Sequence, residues 1–172
     1  MADESLNTFI NSWKKPAKTN MYKLVFEPAG SFQGAAELSN LMGIRAKGSQ
    51  LPTSDMGVLE IPYKGRKVKM PAERSFAEWT VTIMETEAME VRRALERWMS
   101  QIDAEDLIKR DTGAICNIEV HLLRGDNTTD AIVYKLFGAF PSSLASVDLS
   151  FDEQTAPLEY SVTFQYGYHK VS

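Results

Sequence analysis

Cysteine is almost missing from this chain. Cys116 is the single thiol in 172 residues, so no intrachain disulfide can form. It sits in an alternating apolar run, where a small buried hydrophobe is expected. Histidine is nearly as scarce. His121 and His169 are the only two, which excludes a His-rich metal site. Neither GxxxxGK[ST] nor GxGxxG occurs, so the glycine loops that cradle phosphates are absent. Positive charge is not in excess either: 19 basic residues stand against 23 acidic ones, a net charge of −4, where a general nucleic-acid binder would be basic. No apolar run is long enough to cross a bilayer, and the opening MADESLNTF has neither the basic nor the apolar part of a secretory signal. The expectation is a soluble protein made in a reducing compartment, with no membrane anchoring and no cofactor.

What the chain does have is organised around residues 74–102, RSFAEWTVTIMETEAMEVRRALERWMSQI. Ala77, Trp79, Val81 and Ile83 alternate with Glu78, Thr80 and Thr82, the period of a half-buried strand. From Thr86 the rhythm changes. Ala88, Val91, Leu95, Trp98 and Ile102 recur at steps of three and four, the spacing of one helical face. Thr86 is expected to cap this helix, with Glu87 and Glu90 at its positive end. Trp79, Val81, Ile83, Val91, Leu95 and Trp98 form the expected core.

At 44% hydrophobic content the length suits one domain over residues 1–172. Before the anchor, Leu6, Phe9, Ile10 and Trp13 recur at helical spacing within residues 3–14. Asp3 and Glu4 open the segment, Lys14 and Lys15 close it, and Pro16 stops it. So short a helix needs a docking surface, on its own domain or on a neighbouring subunit. Tyr22, Leu24 and Phe26 mark a strand over 20–27. Residues 29–41, rich in glycine, serine and alanine, are expected to be a loop, and 42–50 a weak strand. Residues 57–71 contain two short alternating runs about Tyr63-Lys64-Gly65, which is hairpin chemistry. Pro62 and Pro71 keep either run from being a central strand throughout, and Tyr63, Lys64, Arg66, Lys67 and Lys69 concentrate cations there. This reads as a projecting arm. An otherwise acidic body suits it to a protein partner, self-association included, better than to nucleic acid.

After the helix, Asp111-Thr112-Gly113, Gly125-Asp126-Asn127 and Pro141-Ser142 are turn signals that delimit strands over 116–122 and 131–140. In the closing pair, Ala145, Val147, Leu149 and Phe151 share one face, as do Leu158, Tyr160, Val162, Phe164, Tyr166 and Tyr168. The opposite face carries Ser146, Asp148, Ser150 and Asp152, then Glu159, Ser161, Thr163, Gln165 and His169, and no lysine or arginine before Lys170. That face is either merely solvated or a selected low-friction surface. Seven or eight strands with one packed helix make a mainly β fold, an antiparallel sandwich or barrel.

Catalytic sets are weak. Cys116 and His121, five apart on one strand, fall on opposite faces. Asp148 and Asp152 would stand about 13 Å apart at ~3.3 Å per residue, too far for a glycosidase couple. No enzyme is expected.

Three stretches then act together. Leu51-Pro52 precedes EIPYKGRKVKMPAERSF; the Trp-Thr-Val-Thr strand runs into its helix; and LFGAFPSSLASVDLSFDEQTAPLEYSVTFQYGYH closes the chain. In order and spacing they resemble the tail tube protein of contractile-tailed bacteriophages, over residues 51–102 and 131–169. The resemblance implies six protomers in a ring, their sheets joined into one β-barrel, and rings stacked into a virion tail tube assembled in the host cytoplasm. It implies DNA and the tape-measure protein in the lumen without specific binding, a surrounding sheath protein, and tube proteins of the baseplate. The neutral-to-acidic strand face would then line the bore, where phosphates meet no counter-charge, and the arm would reach an adjacent protomer or ring. A tailocin tube, a type six secretion tube or a baseplate-proximal tube initiator would look similar. A reading of another class is a monomeric β-sandwich module that binds an anionic ligand through the arm.

Overall fold

The computed structural model describes Leu6, residues 8–10, 17–28, 35–104, 115–147 and 157–172. Leu6 and residues 8–10 are helical; Trp13 and Asp3 lie outside the described residues. Nine strands follow, with two further helices: β1 (Tyr22–Pro28), α1 (Ala35–Arg45), β2 (Ala46–Ser49), β3 (Ser54–Tyr63), β4 (Arg66–Phe76), β5 (Trp79–Met84), α2 (Glu90–Ala104), β6 (Cys116–Leu123), β7 (Asp130–Leu144), β8 (Glu159–Gln165) and β9 (Tyr168–Val171). The fold is mainly β and its strand pairs are antiparallel.

One sheet runs β1-β6-β7-β8-β5-β2, with β9 also on β7, while β3 and β4 form a separate two-stranded sheet. β7 belongs to two halves. Its residues 134–137 pair with β9 and most of its first part with β6; its residues 140–144 pair with β8. Between them the register slips next to Ala139 and again between Pro141 and Ser143. Such slips bend a strand, and here they roll the sheet around its apolar contents.

The alternation of β5, β6 and β8 sends every second side chain inward. Trp79, Val81, Ile83, Cys116, Ile118, Val120, Tyr160, Val162 and Phe164 are buried, and from α2 so are Val91, Leu95 and Trp98. Phe164 sits at the centre, its ring 5.8 Å from those of Phe26 and Trp79 and 6.3 Å from that of Trp98. Burial pushes the Cys116 thiol up to about 12, as an apolar site does to any group that must ionise.

Several expectations are corrected. The expected loop at 29–41 contains the first half of α1, which sends Leu38 and Met42 into the core four residues apart. Ser39 Oγ donates to the Phe26 carbonyl at 2.5 Å, and a Cβ on Gly43 would lie 3.0 Å from the Leu24 carbonyl oxygen. Gly43 is thus the point where helix and strand touch backbone to backbone. The strand expected over 42–50 is only four residues long, because helical geometry persists through Arg45. The fold therefore has a second packed helix. Thr86 does not cap α2, which begins at Glu90; the Glu85 carboxylate instead accepts the Arg92 N–H at 2.7 Å. Pro141-Ser142 is no turn: β7 passes through it to Leu144. Residues 145–147 are not strand, and Asp148, Ser150 and Asp152 lie outside the described residues. Finally, Gly167 interrupts the closing strand. The phase shifts by one, so Tyr168 is exposed and His169 buried, the reverse of the expected faces.

Candidate functional site

The strand face singled out in the sequence is assembled from four strands. β8 presents Glu159, Ser161, Thr163 and Gln165, all half-buried, and β5 adds Thr80 and Thr82 across the registers Thr80↔Thr163 and Thr82↔Ser161. Ser143 of β7 lies opposite Thr163. The two threonine hydroxyls are 3.3 Å apart, and Gln165 Nε2 donates to Glu78 at 3.2 Å. One cation reaches this face through a strand the sequence did not place there: Lys47 of β2 donates to Glu159 at 2.6 Å. Its charge is thereby answered locally. Ser146 is exposed just beyond β7.

The outer face of the other half is different in kind. Lys135 of β7 donates to Glu119 of β6 at 2.8 Å and to Glu27 of β1 at 2.9 Å. The Glu119 hydrogen bond, then that from Glu27, raises the Lys135 ammonium above its usual range, and Lys135 in turn lowers Glu119. His121 lies outward, 3.2 Å from both Glu119 and Asp130, and so on the side away from Cys116. Phe137 and Tyr168 stack at 4.7 Å with Lys170 above them. One half is therefore ionic and aromatic outside, the other small and mostly neutral.

The arm is a longer hairpin than residues 57–71, running from Ser54 to Phe76. Lys64 and Gly65 form its two-residue turn with φ of 46° and 78°, the primed geometry that matches strand twist and that glycine adopts freely. The register sorts its side chains. Leu59↔Met70, Ile61↔Val68 and Tyr63↔Arg66 share one face, and Glu60↔Lys69 and Pro62↔Lys67 the other. Lys67 lies 2.8 Å and Lys69 4.0 Å from Glu60, so part of the basic charge is paired within the hairpin.

The hairpin root rests on an aromatic nest around His169, whose ring is 5.1 Å from Phe76, 5.7 Å from Tyr134 and 6.0 Å from Tyr166. Tyr166 donates to the Thr53 carbonyl, and Arg74 lies over Phe76 while donating to Ser54. Burial, and then the Arg74 charge, hold His169 below its ordinary value of 6.5. Above 6.5 the ring is neutral folded or unfolded. As pH falls below that, the unfolded chain takes the proton first and stability declines. His169→Phe keeps the packing and removes the proton site. Its thermal midpoint is expected to fall less between pH 7 and pH 5 than that of the wild type; equal slopes would show that His169 does not titrate in this window.

Sequence reasoning missed the buried carboxylate of Glu85. It accepts hydrogen bonds from Arg45 at 3.2 Å, from the Arg92 N–H at 2.7 Å and from Tyr160 Oη at 2.7 Å, and its side chain is wholly buried. Arg45 also pairs with Glu90. Burial first, then the bond to Glu85, pushes the Tyr160 hydroxyl up. The group ties α1, the end of β5, α2 and β8 together. Its role is to hold elements in place.

A family model described as phage tail tube protein matches residues 17–172. The chain is also similar to the tail tube protein gp19 of Enterobacteria phage T4, 23% identical over 131 residues that make up 72% of this chain and 78% of that one. Among solved structures it resembles the tube-terminating cap of the anti-feeding prophage (TM-score 0.67, 16% identity, 92% of each chain). It also resembles the sheath/tube terminator of the extracellular contractile injection system PVC (TM-score 0.63, 14% identity, 92% of this chain and 98% of that one). These likenesses lie in the β-rich fold.

Proposed function

The chain belongs to the phage tail tube protein family, and from that premise we propose that six copies close into a ring, that rings stack into the inner tail tube, and that DNA passes through the bore. The observation that carries this is the half-sheet β7-β8-β5-β2. Its ends, β2 and the 140–144 part of β7, pair with nothing on their outer sides among the described residues. Unpaired strand edges invite another chain, and a ring of identical half-sheets satisfies all of them at once.

In this reading the small neutral face, with Ser161 and Thr163 at its middle, lines the bore. Phosphates sliding past it find few cations, and Lys47 is already engaged by Glu159. Ser146, exposed just beyond β7, continues the same wall. The ionic face of β1, β6 and β7 is then outside, toward the sheath protein. The tape-measure protein and DNA occupy the lumen without specific binding, and tube proteins of the baseplate are further partners. Assembly takes place in the host cytoplasm, and the product is a structural part of the virion tail.

Negative-stain microscopy of the purified protein tests the reading. Rings or tubes with a central channel are expected. Particles that remain monomeric at high concentration would overturn it. A Ser161→Lys, Thr163→Lys variant should still assemble yet slow DNA release, because it puts two uncompensated cations into the wall.

A further inference from the structure

Resting on the tube reading, we propose that Tyr22 and Arg92 are positioning residues, which hold the two open edges of the half-sheet in the shape that a neighbouring copy must pair with. β2 is only four residues long, and its register with β5 slips between Ala46 and Gly48. A strand so short, paired on one side among the described residues, frays readily. It is held at both ends from the core side. Tyr22 Oη of β1 donates to the Ala46 carbonyl at 2.9 Å, and Trp79 Nε1 of β5 donates to the Gln50 carbonyl, just past the strand, at 2.6 Å.

The other edge is held in the same manner. β7 ends at Leu144, and just beyond it the Ala145 N–H still bonds the Ser161 carbonyl of β8 at 2.9 Å. Backbone groups of an antiparallel strand alternate between its two sides, so those of Leu144 turn to the open edge. Arg92 Nη1, from α2, donates to the Ala145 carbonyl at 3.2 Å and fixes the peptide next to them. The guanidinium is itself aimed. Its Nε donates to Glu96 at 3.1 Å, and its Cζ lies 5.2 Å from the centre of the Tyr160 ring. Each clamp acts on a carbonyl oxygen, which has two lone pairs, so a held carbonyl can still accept from a neighbour. An edge already in its paired shape gives up less freedom on docking, and the fraction of subunits in that shape scales the apparent affinity.

The test uses the full chain with Tyr22→Phe, Arg92→Gln and Arg92→Lys, each made singly. It reads the melting midpoint of the free subunit and the concentration at which light scattering reports assembly. Ile118→Val, a buried change in β6 on the other half of the sheet, gives the comparison for a loss of stability alone. Tyr22→Phe and Arg92→Gln should melt near the Ile118→Val protein yet need about tenfold more protein to assemble, as follows if the edge keeps its shape about a tenth of the time. Arg92→Lys, which keeps a donor and a cation beside Tyr160, should fall between Arg92→Gln and wild type. Assembly of Tyr22→Phe or of Arg92→Gln at the wild-type concentration would overturn the role of that residue, and an Ile118→Val shift as large as theirs would overturn both roles. The tube reading stands in either case. Wild-type protein that never forms rings or tubes would overturn that reading and this one together.

Discussion

Glu85→Ala is expected to cost about 3 kcal/mol, at the low end of what removing one partner of a buried ion pair costs, and to lower the melting midpoint by roughly 6–12 °C in a chain of this size. Three donors converge on this carboxylate, and one of them, Arg45, keeps 16% of its side chain in water and a second partner in Glu90. That partial exposure sets the figure near the bottom of the range. The remaining two, the Arg92 N–H and Tyr160 Oη, would lose the acceptor they share and stay under the helix start. Both bond to Oε1, whereas Arg45 bonds to Oε2. Glu85→Gln can therefore retain the first two and lose only the ion pair, so it should fall between alanine and wild type. Urea unfolding of the three proteins measures the split. An alanine variant within about 0.5 kcal/mol of wild type, the range of ordinary surface changes, would show that the node contributes little.

Trp98→Ala should be as damaging or more so, by about 3–5 kcal/mol. Trp98 is fully buried on α2, and its ring meets Phe164, the residue on which Phe26 and Trp79 also converge. Truncation opens a cavity between α2 and the aromatic cluster about Phe164, whose members cannot follow α2 inward without breaking their own contacts. The variant should be largely unfolded at 37 °C or aggregate on expression. Trp98→Phe, which fills most of the volume, should restore a cooperative transition. A soluble, cooperatively melting alanine variant would mean that α2 is not anchored through this side chain.

Both residues belong to the same segment, yet only one was legible. Trp98 declares itself because helical periodicity is local, and so does the alternation of Trp79, Val81 and Ile83. Glu85 could not be found that way. Its partners Arg45, Arg92 and Tyr160 lie 40, 7 and 75 residues away. The helix α1 was hidden for another reason. Its residues are mostly good helix formers, but its apolar positions do not keep to one face: Leu38 and Met42 are buried while Ile44 is exposed, so the helical period is faint. Pro141 stays within β7 at a register irregularity, where a missing N–H matters less than in a regular ladder. The inversion at Tyr168 and His169 follows from one residue, Gly167, since slipping a two-residue period by one exchanges the faces. In the hairpin the signal was present but masked by charge. Val68 and Met70 alternate with Lys67 and Lys69, so the basic run is only one side of a two-sided ribbon. On the neutral face, periodicity in β8 gave the right side of the strand, while Lys47 entered from an expected strand whose pairing with β5 the sequence did not reveal.

The length of β7 has a mechanical corollary. One unbroken stretch of backbone, residues 130–144, serves as a member of both walls. A push on the ionic exterior is handed to the strands around Ser143 along covalent bonds, without any side chain having to change its neighbours. The subunit should respond to a shock from outside as a stiff spar, passing strain across its own thickness instead of absorbing it in a soft middle layer.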